Sequence, residues 1–146
     1  MTWPEVEARL GTLPRDQVVT FAADAARRVV DVIAADTGHY GPEAAEWRAA
    51  LDQTVRAAER FAAGMPVTRF ALDLAAETAR CVAAALTRLT QERGPGPHRE
   101  QGELAAAAAA FAADAARAST DRRAATCAMQ AARAAAAARG EDEPGA

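Results

Sequence analysis

Hydrophobic and polar positions repeat every three to four residues along most of the chain, and this spacing predicts helices throughout. Six stretches carry it: a short one at 3–11 and longer ones at 14–37, 42–63, 66–93, 103–118 and 120–139. The second stretch, from Leu13 to Gly38, has the densest run of β-branched residues. Val18, Phe21, Ala22, Ala25, Val29, Val32 and Ile33 define its predicted buried face, and Gly38 its C-cap. In the third, Trp47, Leu51, Thr54 or Val55, Ala58, Phe61 and Ala62 form the seam. In the fourth the seam is Val67, Phe70, Ala71, Leu74, Cys81, Val82, Ala85, Leu86 and Leu89, and Thr78 there can bond back to the preceding turn. Leu104, Ala108, Phe111 and Ala115 mark the stripe of the fifth.

Start and stop signals divide these stretches. Thr2-Trp3-Pro4-Glu5 reads as a capped helix start, with Trp3 and Leu10 as anchors. Pro14, Pro42 and Pro66 suit first turns, and Gly64 ends the third stretch. Arg93 to His98, RGPGPH, is the clearest breaker, because two Gly-Pro pairs cannot continue a helix. Ser119-Thr120-Asp121 can cap a final helix or run through as one helix with the preceding stretch. Residues 140–146, GEDEPGA, read as a solvated, disordered acidic tail. The expectation is one all-α domain over 1–139, a compact antiparallel bundle of about five helices.

Composition qualifies that picture. The apolar share is 51%, but 44 residues are alanine and only 28 are Leu, Ile, Val, Met, Phe, Trp or Tyr. Alanine favours helices and lets backbones approach, yet its burial contributes little, so the core is thin for this length. A tightly spaced bundle fits, with a partner or second copy as a source of further burial. Phe21 to Arg27, FAADAAR, recurs letter for letter at Phe111 to Arg117. Read as a repeat, it places Phe21 and Phe111 in equivalent core positions; read against the alanine background, it is a chance match.

Charge narrows the function classes. A net charge of −3 with no lysine argues against nucleic acid, which needs clustered positive charge. The all-arginine basic set fits a GC-rich codon bias. No basic segment leads into an apolar run at the start, and no run is apolar enough for a membrane span. Two cysteines in separate helices fit a reduced, cytoplasmic setting, both as core thiols. His39 and His98 sit beside Gly and Pro in predicted loops; with Asp36 they form no short-spaced metal motif. No phosphate-cradling glycine loop occurs, and Ser119 is the one serine. No catalytic, cofactor or metal residue is assigned, and an enzyme is the weakest class. Candidate protein-interface residues are Asp24, Arg27, Arg28 and Asp31, on the outer face of the second stretch, with His39 and Tyr40 in the adjoining loop. Asp24 and Arg28 have the spacing of a helix ion pair, as do Asp52 and Arg56. Arg117, Arg122, Arg123 and Arg133 form a modest basic patch.

FAADAARRVVDVI, WRAALDQTVRAAERFAAG and ALDLAAETARCVAAA, followed by alanine-rich helices, resemble an all-helical immunity-protein family of bacterial polymorphic-toxin systems. The resemblance spans about Gln17 to Ala138. Departures from the family pattern include Ala25 where it prefers Cys, no Pro near Asp31, and no His in AATCAMQAARAAA. The resemblance implies a cytoplasmic protein that binds and occludes a cognate toxin, with no catalytic residue and no cofactor. The alternative from the residues alone is a self-associating scaffold or regulatory subunit, dimerising to complete the thin core.

Overall fold

The computed structural model describes residues 1–31, 40–94 and 96–144, and of residues 97 and 98 the backbone alone. These residues form six α-helices: α1 (Trp3–Leu10), α2 (Arg15–Val30), α3 (Ala44–Ala62), α4 (Arg69–Arg93), α5 (Pro97–Arg117) and α6 (Asp121–Ala138). No strand occurs among them. The all-α class agrees with the sequence reading, and the helix count is one more than the expected five.

The caps explain most boundaries. Thr2 Oγ1 accepts from Glu5 N and starts α1. Thr68 Oγ1 accepts from Ala71 N, so α4 begins at Arg69 rather than at Pro66. Thr120 Oγ1 accepts from Arg123 N, and Ala118 is extended (φ −60°, ψ 140°), so the last two helices are separate. The break at RGPGPH is shorter than expected. Pro97 takes the first helical position, where its missing N–H costs nothing, and α5 starts six residues before Glu103. The backbone of His98 is therefore helical, not loop. Val32, Ile33 and Gly38, expected at the end of α2, and His39, expected in the loop that follows, lie outside the described residues; α2 as described closes at Val30 with Asp31 as its cap.

Cross-helix bonds fix the helix directions. Thr90 meets Glu103, Arg80 meets Asp114 and Asp73 meets Arg117, so α4 and α5 run antiparallel. Asp31 with Arg48 and Arg27 with Asp52 set the same relation for α2 and α3. Arg15 at the start of α2 reaches Ala118 O and Asp121 at the start of α6, so those two helices run in parallel.

Helix α5 is the centre: α2, α3, α4 and α6 all pack on it. Ala105, Ala106, Ala108, Ala109, Ala112, Ala113 and Ala115 are fully buried, so α5 is enclosed nearly all round rather than along one stripe. Methyl groups alone let four neighbours approach it. At its start Gly102 goes further, because a β-carbon there would stand 2.8 Å from Tyr40 Cε1. Large side chains come from the neighbours: Val18, Val19, Val29 and Val30 of α2, Leu51 and Val55 of α3, Leu72, Val82 and Leu86 of α4. The seam expected for α3 is the buried one, including Thr54, whose hydroxyl lies 3.0 Å from the carbonyl oxygens of both Ala50 and Ala75.

Two buried faces differ from expectation. In α2 the core also takes Val19, Ala23, Ala26 and Val30, which turns Phe21 outward to 37% exposure. In α4 the buried line is Leu72, Ala76, Ala79, Val82 and Leu86, while Phe70, Leu74 and Cys81 are exposed. Thr78 does donate back to Leu74 O, at 2.7 Å. The acidic tail is not simply solvated: Trp3 Nε1 donates to Asp142 O at 3.0 Å, and Arg139 pairs with Glu141.

Candidate protein-binding groove

Helix α1 has eight residues, too few to cover the length of α2 and α6 beside it. Its stripe of Trp3, Val6 and Leu10 turns inward at one end and leaves a groove along the rest. Phe21, Asp24, Ala25 and Arg28, at i, i+3, i+4 and i+7 on α2, form one wall, and Ala132 and Ala136 of α6 with its cap residue Arg139 complete the other. Met1, Leu13 and Pro144 also line the groove, whose volume is about 450 Å³. Its floor is apolar: Leu10 is buried, and Met1, Leu13 and Phe21 remain 56%, 39% and 37% exposed. Arg9, Arg28, Arg139 and Asp24 stand around it.

The outer charges of α2, expected as one surface, are divided between two neighbours. Asp24 and Arg28 line the groove, and neither forms an ion pair among the described residues. The expected Asp24–Arg28 helix pair is therefore not made. Arg27 points the other way, to α3. It donates to Glu59 Oε1 at 2.7 Å and to Asp52 Oδ1, and Asp52 also takes Arg56 Nε at 2.8 Å, the expected pair of that helix. The bond to Glu59, opposed by burial and aided by Asp52, raises the Arg27 pKa above the ordinary arginine value. In turn the hydrogen bond from Arg27 holds the Asp52 carboxyl below the usual aspartate range. Asp31 is bound to Arg48, at 2.9 and 3.2 Å. Arg27 and Asp31 thus fasten α2 to α3.

The loop residues separate similarly. Tyr40, expected as an exposed anchor, is 1% exposed and packs on Gly102; it belongs to the core. His39 lies outside the described residues. Sequence reasoning missed Trp3, Arg9, Leu13 and Arg139 as groove residues. The signal was present in α1, whose three large apolar residues cannot span a sixteen-residue neighbour.

A second apolar surface lies on α4. Phe70 and Leu74, one turn apart, are 75% and 56% exposed, with Met65 at 53% in the preceding link. Cys81 continues this line, with Sγ 3.9 Å from Glu77 Oε1. The expectation of a buried thiol fails there, because the line of α4 that turns inward is Leu72, Ala76, Ala79, Val82 and Leu86. Cys127 is buried as expected, and desolvation raises its thiol pKa.

Among the described residues no group of three His, Cys, Asp or Glu side chains is placed to hold a metal, and no helix is long and apolar enough to cross a membrane. No family model, curated protein or solved structure matches the chain.

Proposed function

We propose that the chain works by binding another protein in the groove between α1, α2 and α6. The observation that carries this reading is the side-chain chemistry of the groove. Phe21, Leu13 and Met1 stay uncovered around an apolar floor, beside Arg9 and Arg28, which carry no ion pair among the described residues. Apolar anchors ringed by arginine are the composition of binding hot spots. Arg139 is paired with Glu141, so Arg9 and Arg28 against Asp24 leave one uncompensated positive charge, which favours a partner that inserts an apolar side chain beside a carboxylate.

Together with the resemblance to toxin-immunity proteins, this describes an immunity-like protein that neutralises a cognate toxin by occlusion, with no catalytic activity of its own. The test is co-expression with the product of the neighbouring toxic gene. Growth is rescued by the native chain and lost with Phe21→Glu or Arg28→Glu, while both variants keep the native helical spectrum. Rescue that survives both substitutions removes the groove from the interface, and no rescue by the native chain removes the reading.

A second reading, self-association, has its own observation in the outward stripe of Met65, Phe70 and Leu74. Large apolar side chains this exposed at and just before the start of α4 suit burial by a second copy. A concentration-dependent dimer in sedimentation, dispersed by Phe70→Glu, supports it; a monomer at high concentration excludes it.

A further inference from the structure

The first half of α4, the end of α5 and the start of α6 meet at a second site, and there the arginines converge. Arg69 and Arg80 of α4, Arg117 of α5 and Arg123 of α6 line a cavity of about 180 Å³, together with Asp114, Ala118 and Ser119. Two carboxylates hold three of the four guanidinium groups. Asp114, whose side chain is 12% exposed, takes Arg117 at 2.8 and 3.0 Å and also Arg80. Asp73 takes Arg117 at 2.9 Å and Arg69 at 3.2 Å. The fourth, Arg123, has no ion pair among the described residues, and the Ser119 hydroxyl has no hydrogen-bond partner there. Four positive charges against two negative ones leave the cavity with an uncompensated charge of two. The start of α6, an 18-residue helix whose Thr120 cap lies next to Ser119, adds the positive end of its dipole.

We propose that this cavity binds a tetrahedral, doubly charged oxyanion, a phosphate or a phosphoryl group carried on a larger molecule. Planar guanidinium groups match such an anion through paired N–H donors, a geometry that water or chloride satisfies less well. Asp73 and Asp114 do not fill the site. They fix Arg69, Arg80 and Arg117 around it, so the anion loses little affinity to ordering side chains. Arg123 and Ser119 supply the donors that have no partner in the chain. A carboxylate has the charge of only one of the two uncompensated positions and lacks the third oxygen.

The experiment is calorimetric titration of the whole protein with sodium phosphate at constant ionic strength, chloride making up the balance. One saturable site is expected. Arg123→Gln, which breaks no ion pair, is expected to weaken binding by about tenfold or more, the loss of one charged hydrogen-bond donor, and to leave the unfolding temperature without phosphate unchanged. Arg69→Gln serves as the second variant, with a smaller loss. Displacement of phosphate by O-phosphoserine, bound more tightly than the inorganic ion, identifies a carried phosphoryl group; phosphate bound as tightly or more so identifies the free ion. Uptake that does not saturate, that chloride reproduces, or that is unchanged in both variants overturns the proposal. So does a glutamate-rich peptide that binds through Arg123 when phosphate does not, which makes the site an acidic-protein contact.

Discussion

The segment Phe-Ala-Ala-Asp-Ala-Ala-Arg occurs in α2 and again in α5, and the two copies have different surroundings. Their local pattern agrees: the second, third and sixth residues are buried in both, and both arginines bind carboxylates on a neighbouring helix. The arginine side chains are even exposed alike, at 34% and 29%. The other positions diverge. Ala25 borders the groove, whereas Ala115 is fully buried. Asp24 has no ion pair among the described residues, whereas Asp114 holds Arg80 and Arg117. Phe21 is exposed and Phe111 is partly buried against the core. Seven residues thus fix which face of a helix is apolar, and the number of neighbouring helices fixes how much of it is enclosed. The repeat is no evidence of equivalent core phenylalanines, because neither ring is fully buried.

Paired substitutions test this contrast. The largest difference is expected at the fifth residue. Ala115→Leu forces a branched side chain between packed helices and is expected to lose about 1–3 kcal/mol or not to fold, whereas Ala25→Leu extends into the groove and stays within about 0.5 kcal/mol, both read by urea denaturation. A similar cost at both sites would show the groove to be closed. Next comes the aspartate. Asp114→Asn leaves Arg80 without a carboxylate and Arg117 with Asp73 alone and is expected to cost about 1.5–3 kcal/mol, while Asp24→Asn is expected to be neutral in the same assay. For the arginines the expectation is equality: Arg27→Gln and Arg117→Gln each lose about 1 kcal/mol, and a large gap between them would mean that the two networks differ in kind.

The same networks set an acid limb. Asp52 and Asp73 are held below the ordinary aspartate value of 3.8 by hydrogen bonds from Arg27 and Arg117. Groups with a depressed folded pKa stabilise the fold fully above the unfolded value and lose that contribution as pH falls through the folded one. The unfolding midpoint is therefore expected to fall as pH drops below 3.8, and Asp52→Asn to flatten that fall by removing one of the two groups. The smallest effect is chemical. A thiol reagent is expected to label Cys81 in the native protein and Cys127 only after unfolding, since one is exposed and the other is buried with a raised pKa.

Much of the fold is written in the helical period and the caps. Thr2, Thr120 and the Gly-Pro run each mark a boundary that the structure has. What the period left ambiguous is which face turns inward when two faces qualify. In α4, Phe70, Leu74 and Cys81 form one apolar line and Leu72, Ala76, Ala79, Val82 and Leu86 another. The first has the larger residues at its start, so side-chain size points to it. The second is buried: Ala76 and Ala79 allow close approach to the alanine-rich α5, and Leu72, Val82 and Leu86 on the same line fill the core beside them. In α2 the same rule turned Val19, Ala23 and Ala26 inward and Phe21 outward. The candidate surface was legible in part: Asp24 and Arg28 do face a groove, but nothing local revealed that Asp31 would meet a residue of α3 17 positions away and Arg27 residues 25 and 32 positions away.

Trp3 closes the molecule by reaching Asp142, and Glu7 does so by accepting from Thr126 Oγ1 at 2.7 Å. These contacts bridge 139 and 119 residues. Contacts that distant form late, because the loop they close must first be shortened by the helices between. On an elongating chain, α1 and α2 are made first, yet the groove they line has no second wall until α6 has been synthesised. Binding competence therefore arrives with the final helix, and a chain interrupted before Ala132 has every candidate recognition residue of α2 but no groove to present them.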